Sequence, residues 1–267
     1  MKRLTVIAGV ICSGVVILAA LVSLLWTPFS PSTVSDQKYA PPGWPHLLGT
    51  DNLGMDTASR LMVGAQTTLV VGIMAVAIAA LIGVPLGIIA GMGHKLFSDI
   101  LARASDVLYA LPALLLAILL AAALGASVLT ATVAIGIATI PVFQRMARAA
   151  TLTVMSQDYI LAAEICGTPR PVIAWRHVLP NIAPLLGVQA AASFSMSILA
   201  EAGLSYLGLS AARTTPTWGR MLRDANLFIA PDQALIPGAA IALAVMGFNL
   251  LGDGMRDYLD PKLRELR

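Results

Sequence analysis

Three histidines, His46, His94 and His177, two cysteines, Cys12 and Cys166, and 14 acidic side chains are what this 267-residue chain offers for covalent or metal chemistry. The histidines stand far apart, and neither cysteine has a histidine near it, so no metal-ligand spacing arises. The cysteines read as small hydrophobes, and a disulfide between them is not expected. There is no H-E-x-x-H, no nucleophile elbow and no paired-carboxylate arrangement. No G-x-x-x-x-G-K-[ST] loop exists to cradle a nucleotide. Catalysis and a resident cofactor are therefore not expected. The polar residues that remain suit a different task. Gln189, Ser193, Met196, Ser197 and Glu201 recur at three- and four-residue steps, which places them along one helical stripe. Inside an apolar segment, such a stripe lines a solute pathway or joins two helices through serines. Here it is the candidate translocation path.

A second constellation is a polar island, Gln157–Asn181, within otherwise apolar surroundings. Asp158 is expected to cap a short helix, and Gly167 to end it in the left-handed conformation that only glycine adopts cheaply. Thr168 and Pro169 then read as the N-cap and first residue of a second short helix. That helix runs through Ile173 and Trp175 to His177, and Pro180 restarts the chain into the membrane. Ala162 and Ala163 leave room for a close fit in a partner's groove. From the residues alone, an amphipathic loop on the inner leaflet fits equally well.

The elements around these residues are apolar. The chain is 58% hydrophobic and 12% charged, with a mean hydropathy of +0.83. Soluble domains carry about 25% charged residues, so the bilayer must serve as part of the solvent. A net charge of +3, with scattered Lys and Arg, argues against a nucleic-acid partner. Six runs approach the roughly 20 residues a span requires: Leu4–Trp26, Thr67–Met92, Ala104–Leu124, Ser127–Arg145 or slightly beyond, Ile182–Leu204 and Ala234–Leu251. The first exceeds a signal-peptide core and reads as a retained helix. Gly83, Gly87 and Gly91 would give the second span a face for close packing. With the N-terminus inside, twelve of the 17 Lys and Arg residues fall on inner segments, so both termini are expected to be cytoplasmic.

Further polar groups flank the spans. Arg103 with Asp106, and Asp253 with Arg256, sit three apart near helix ends and are expected to pair there. Two outer segments, 28–66 and 206–233, are too long for plain turns. They carry Asp51, Asp56, Trp218, Arg220 and Arg223, with a short amphipathic helix beginning near Trp218. The expected organisation is an N-terminal helix (1–27), an extracytoplasmic segment (28–66) and a five-helix core (67–267).

Within the island, two alanines, a glycine four residues later and a distal Leu-Pro (Ala162, Ala163, Gly167, Leu179, Pro180) resemble the coupling motif of ABC importer permeases. Leu161 stands where that motif begins with glutamate, which removes an ion pair but keeps the helix–turn–helix. HLLGTDNLGMDTASRL (46–61), LAEAGLSYLGL (199–209), TPTWGRML (215–222) and NLLGDGMRDYLDPKLREL (249–266) are similar to the C-type subunit of the dipeptide/oligopeptide/nickel branch. The resemblance implies an all-α, six-span inner-membrane subunit of the type I (MetI-like) fold. It also implies a second permease subunit, cytoplasmic ATPases docked at Asp158–His177, and an external solute-binding protein at the outer segments. A peptide is the expected substrate, with nickel, glutathione or haem as alternatives. An ion-driven secondary transporter is the rival from another class; it would show inverted repeats and broken helices at mid-membrane.

Overall fold

The computed structural model describes residues 2–210, 215–227 and 231–259, so Arg213 and the C-terminal Lys262, Arg264 and Arg267 lie outside the described residues. Among the described residues the regular elements are helices, and the long non-helical segment 26–56 carries one isolated bridge, Thr50 to Asp56. The helices are α1 (Lys2–Leu25), α2 (Thr57–Met92), α3 (Lys95–Ala110), α4 (Ala113–Leu124), α5 (Val128–Met155), α6 (Asp158–Ile165), α7 (Arg170–Ile173), α8 (Leu179–Tyr206), α9 (Trp218–Leu227) and α10 (Pro231–Leu259). Among the described residues, five segments are long and apolar enough to cross a membrane, or six if the bent pair α3–α4 counts as one span.

Helix α2 begins ten residues before the apolar run that marks it in the sequence. Asp56 caps it, accepting from the Ser59 backbone N–H at 2.8 Å and the Ser59 hydroxyl at 2.7 Å. At 36 residues it is about 54 Å long, so its first turns stand outside the hydrocarbon core. Its glycine face does what four-residue spacing suggests. A Cβ on Gly83 would lie 2.7 Å from the Ile140 carbonyl oxygen, one on Gly87 2.5 Å from that of Gln144, and one on Gly91 2.7 Å from the Thr151 Cβ. Successive turns of α5 thus rest directly on the α2 backbone.

The third apolar run is not one continuous span. It breaks at Leu111–Pro112, with α3 and α4 at 82° to each other. Proline holds Leu111 in extended backbone (φ −80°, ψ 119°), which ends α3. Elsewhere Pro85, Pro141, Pro184 and Pro237 sit inside helices without ending them, because neighbouring helices restrain the chain there.

Two buried clusters fix the site-bearing parts. One joins α2, α5, α6, α7 and α8 through Ala79, Phe143, Ala147, Ile160, Ile173 and Ile182, with Val178 beside them. The other joins α1, α2, α8, α9 and α10 around Ala65, Ile198, Trp218 and Ala244.

Candidate coupling segment and translocation surface

The island folds as a helix, a tight turn and a second helix. At the end of α6, Gly167 takes φ +77°. Its N–H donates to the Glu164 carbonyl (2.9 Å), and the Thr168 N–H to that of Ala163 (3.0 Å). This double closure is a Schellman motif, and it satisfies carbonyls the helix end would leave unpaired. Both expected N-caps move by one residue. Gln157, not Asp158, occupies the first cap, leaving Asp158 in the first turn, where its charge suits the helix dipole. Pro169, not Thr168, precedes the second helix.

Ile160, Ile173 and Val178 are fully buried against the bundle. Each contributes about 1.5–3 kcal/mol over exposure to water, so the segment is clamped to the body of the protein. The opposite face presents Leu161, Ile165, Val172 and Trp175, the last two apolar side chains 41% and 75% exposed. Ala162 is exposed and Ala163 half-buried beside them. Apolar residues gathered on one exposed face mark a surface that something else covers.

The largest departure from expectation lies after α7. Pro180 does not restart the chain. A π-helical turn, Ala174–Val178, carries α7 directly into α8, and Arg170–Tyr206 runs as one 37-residue helix. The Leu179 N–H reaches back to the Ala174 carbonyl, the widened π pattern that lets a helix continue toward Pro180 and Pro184. Leu179 and Pro180 therefore open the membrane helix itself. Asn181, the next residue, donates from Nδ2 to the His177 carbonyl (2.6 Å) and to the Tyr159 hydroxyl (3.3 Å). The His177 ring lies 6.2 Å from that of Tyr159, centroid to centroid. The helix–turn–helix is thereby tied to α8 at its root.

The stripe on α8 divides. Ser193, Ser197 and Glu201 are buried. Gln189 donates to the Ser193 hydroxyl (2.9 Å), Ser197 to the Ser193 carbonyl (2.8 Å), and Ser210 to Glu201 Oε1 (3.4 Å). Met196 turns outward, 69% exposed. A step from 193 to 196 and then to 201 rotates around the helix far enough to leave one face, so the five residues do not share a lining. Gln189 instead joins Asn181, Asn249, Asp253 and Arg256 around a cavity of about 590 Å³ between α8 and α10. The amide and charged groups of this cavity come from two helices sixty residues apart, which helical spacing on either one could not reveal. Asp253 and Arg256 border it without forming the expected ion pair.

Between α3 and α5, Asp106 pairs with Arg145 (2.7 Å) rather than with Arg103. The Arg145 guanidinium also lies over the Tyr109 ring, 4.4 Å from its centroid. Residues 39 positions apart compete here with the local i,i+3 partner, and the planar stacked arrangement wins.

The outer residues turn inward. Asp56 is buried and, besides capping α2, receives His46 Nδ1 at 2.9 Å. Asp51 accepts from the Leu53 and Met55 N–H groups, both at 2.9 Å, and lies 3.5 Å from Arg60. Trp218, 2% exposed, donates to the Leu61 carbonyl at 2.9 Å and fills the space over Gly64. Arg220 faces Asp224 at 3.7 Å, and the Arg223 guanidinium covers Gly208, where φ is +82°. Gln233 bonds the Thr50 carbonyl at 2.7 Å. These groups hold the two outer segments together as one lobe. Trp218, at the start of α9, is a wedge against α2.

Among the described residues, no three His, Cys, Asp or Glu side chains group as metal ligands. Residues 83–265 match the family described as binding-protein-dependent transport system inner membrane component. The chain is 37% identical over 266 residues to the dipeptide transport system permease protein DppC of Alkalihalophilus pseudofirmus, covering 98% of this chain and 87% of that protein. It is 38% identical over 268 residues to the di/tripeptide transport system permease protein DppC of Pseudomonas aeruginosa, covering 97% and 88%. Identity to the glutathione transport system permease protein GsiD of Pectobacterium atrosepticum is 41% over 225 residues, covering 84% and 75%. The chain belongs to the family of binding-protein-dependent transport system inner membrane components, the non-catalytic permease subunits of ABC importers.

Proposed function

We propose that this chain forms half of the translocation path of an ATP-driven importer of short peptides and receives its power stroke through residues 158–177. The continuous helix from Arg170 to Tyr206 carries this reading. A displacement of α6 and α7 by a docked ATPase is delivered along that helix to Gln189, without a hinge to absorb it. The bundle then switches between two packed arrangements, giving alternating access. The glycine-backed α2–α5 pair is the rigid frame against which α8 moves.

Partners follow from the same reading. Cytoplasmic ATPases dock on the apolar face of Leu161 and Ile165, placing both termini in the cytoplasm. A second, homologous permease subunit completes the path, and a solute-binding protein delivers substrate to the outer lobe. Relatives named for dipeptides, di/tripeptides and glutathione share short peptide-like solutes. The amide and charged groups around the 590 Å³ cavity suit a zwitterion with peptide bonds. The test is uptake of a labelled dipeptide into vesicles carrying the whole complex. Uptake requiring internal ATP supports the reading. Uptake driven by an ion gradient without ATP would overturn it in favour of a secondary transporter.

A further inference from the structure

A second cavity, about 810 Å³, lies on the side of the molecule between the inner half of α2 and the α7–π segment. Its walls are apolar: Leu81, Pro85 and Ile88 from α2 face Ala174, Trp175 and Leu179. Arg170 is the one charged residue along it, and it stands at one end. The arginine is exposed and forms no ion pair among the described residues.

The dimensions identify the occupant. From Leu81 to Gly93 the groove follows α2 for twelve residues, about 18 Å of helix. Half of the hydrocarbon core measures about 15 Å. Helix α2 ends at Met92 with Gly93 as its cap, so with that helix end at the membrane surface the groove reaches to about the bilayer midplane. Arg170 marks that polar end, and Trp175, 75% exposed, lies beside it as aromatic side chains do at headgroup level. An apolar trough one leaflet long, closed by a guanidinium, is complementary to one acyl chain of an amphiphile and the anionic head that carries it. No carboxylate lines the groove to receive the ammonium of a zwitterionic head. A guanidinium binds phosphate oxygens in its planar fork, and basic pockets between inner-side helices are recognised sites for anionic lipid.

We propose that this groove holds an anionic phospholipid, its acyl chain along α2 and its phosphate on Arg170. Because Pro171, Ala174 and Trp175 form the opposite wall, the lipid packs against the helix that enters the membrane as α8. The site follows from the membrane placement of the chain and does not depend on how that helix is driven.

The test uses the intact complex in nanodiscs containing equal phosphatidylglycerol and phosphatidylcholine, released and weighed by native mass spectrometry. The wild-type complex retains phosphatidylglycerol in preference to phosphatidylcholine. Arg170→Gln lowers retained phosphatidylglycerol several-fold, and Arg170→Lys restores part of it. Leu81→Trp, at a position already 75% exposed, fills the trough and lowers retention as well. Arg103→Gln, an exposed cation away from the groove, leaves it unchanged. Equal retention of the two lipids by the wild type would overturn the proposal. So would an Arg103→Gln loss matching that of Arg170→Gln, or efficient cross-linking of a cysteine at position 81 to another protein subunit. Co-elution of the ATPase with each variant separates loss of lipid from loss of assembly.

Discussion

Asn181, in the first turn of α8, bonds the Tyr159 hydroxyl at 3.3 Å and the His177 carbonyl at 2.6 Å, so one side chain fastens both arms of the helix–turn–helix to the membrane helix. Each bond contributes about 0.5–1.5 kcal/mol, too little to decide whether the protein folds. It is enough to decide how stiffly α6 moves with α8. Asn181→Ala and Tyr159→Phe are expected to leave assembly and basal ATP hydrolysis near wild type while peptide moved per ATP falls. Parallel uptake and phosphate-release assays on reconstituted complex measure that ratio.

Gly167 separates conformational need from crowding. A Cβ there meets nothing within 4 Å, yet φ is +77°. An ordinary L-residue in that conformation costs about 1–2 kcal/mol, and asparagine less. Retention of the ATPase on a tagged complex should fall in the order Gly167→Asn, Gly167→Ala, Gly167→Val. Equal behaviour of Asn and Val would show that the left-handed turn is not what positions the segment.

Gly87 poses the opposite problem. Its added Cβ would sit 2.5 Å from the Gln144 carbonyl oxygen, so Gly87→Ala must force α2 from α5. Overpacking of this kind costs about 1–3 kcal/mol or more. Gly238→Ala, in open space on α10, is expected to be neutral or stabilising by about 0.5–1 kcal/mol. Thermal unfolding should fall for purified Gly87→Ala and hold steady or rise for Gly238→Ala.

The outer lobe depends on Trp218. Trp218→Ala removes a buried aromatic side chain and its bond to Leu61, a loss of about 3–5 kcal/mol. Hydrogen exchange across residues 215–227 should then rise to that of an open loop, with α6 unaffected.

Asp224 gives the same lobe a pH dependence. Burial pushes its pKa above the usual aspartate range, against the opposing charges of Arg220 and Arg60. The folded lobe binds the proton more tightly than the unfolded chain does. Its stability therefore falls as pH rises from the ordinary aspartate value through the raised one. Asp224→Asn should flatten that slope in exchange measurements taken from pH 4 to pH 7.

Local signals were legible and distant ones were not. Gly167 announced the turn, and four-residue spacing announced a close-packing face on α2, because both are set by a residue and its near neighbours; that α5 fills that face was not legible. The run 104–124 reads as one span despite Pro112, and the 82° bend there depends on what α4 packs against. Proline at 180 suggested a break, whereas a π turn carries the helix through it. The pairings of Asp106 with Arg145 and of Trp218 with Leu61 join residues 39 and 157 positions apart. No spacing rule reaches that far. The stripe on α8 failed for a related reason: helical period located its polar residues, but the surrounding helices decided which of them face a cavity.

The most direct test of the coupling account uses the native thiol of Cys166, exposed at the tip of α6 beside Gly167. A short bifunctional maleimide is added to the assembled complex, and the cross-linked chains are identified by mass spectrometry. The account predicts a product joining this chain to the ATPase, lost in Cys166→Ser and changed in yield when ATP is bound. A complex that is intact and transporting, yet gives no ATPase product from Cys166 with or without ATP, would contradict it.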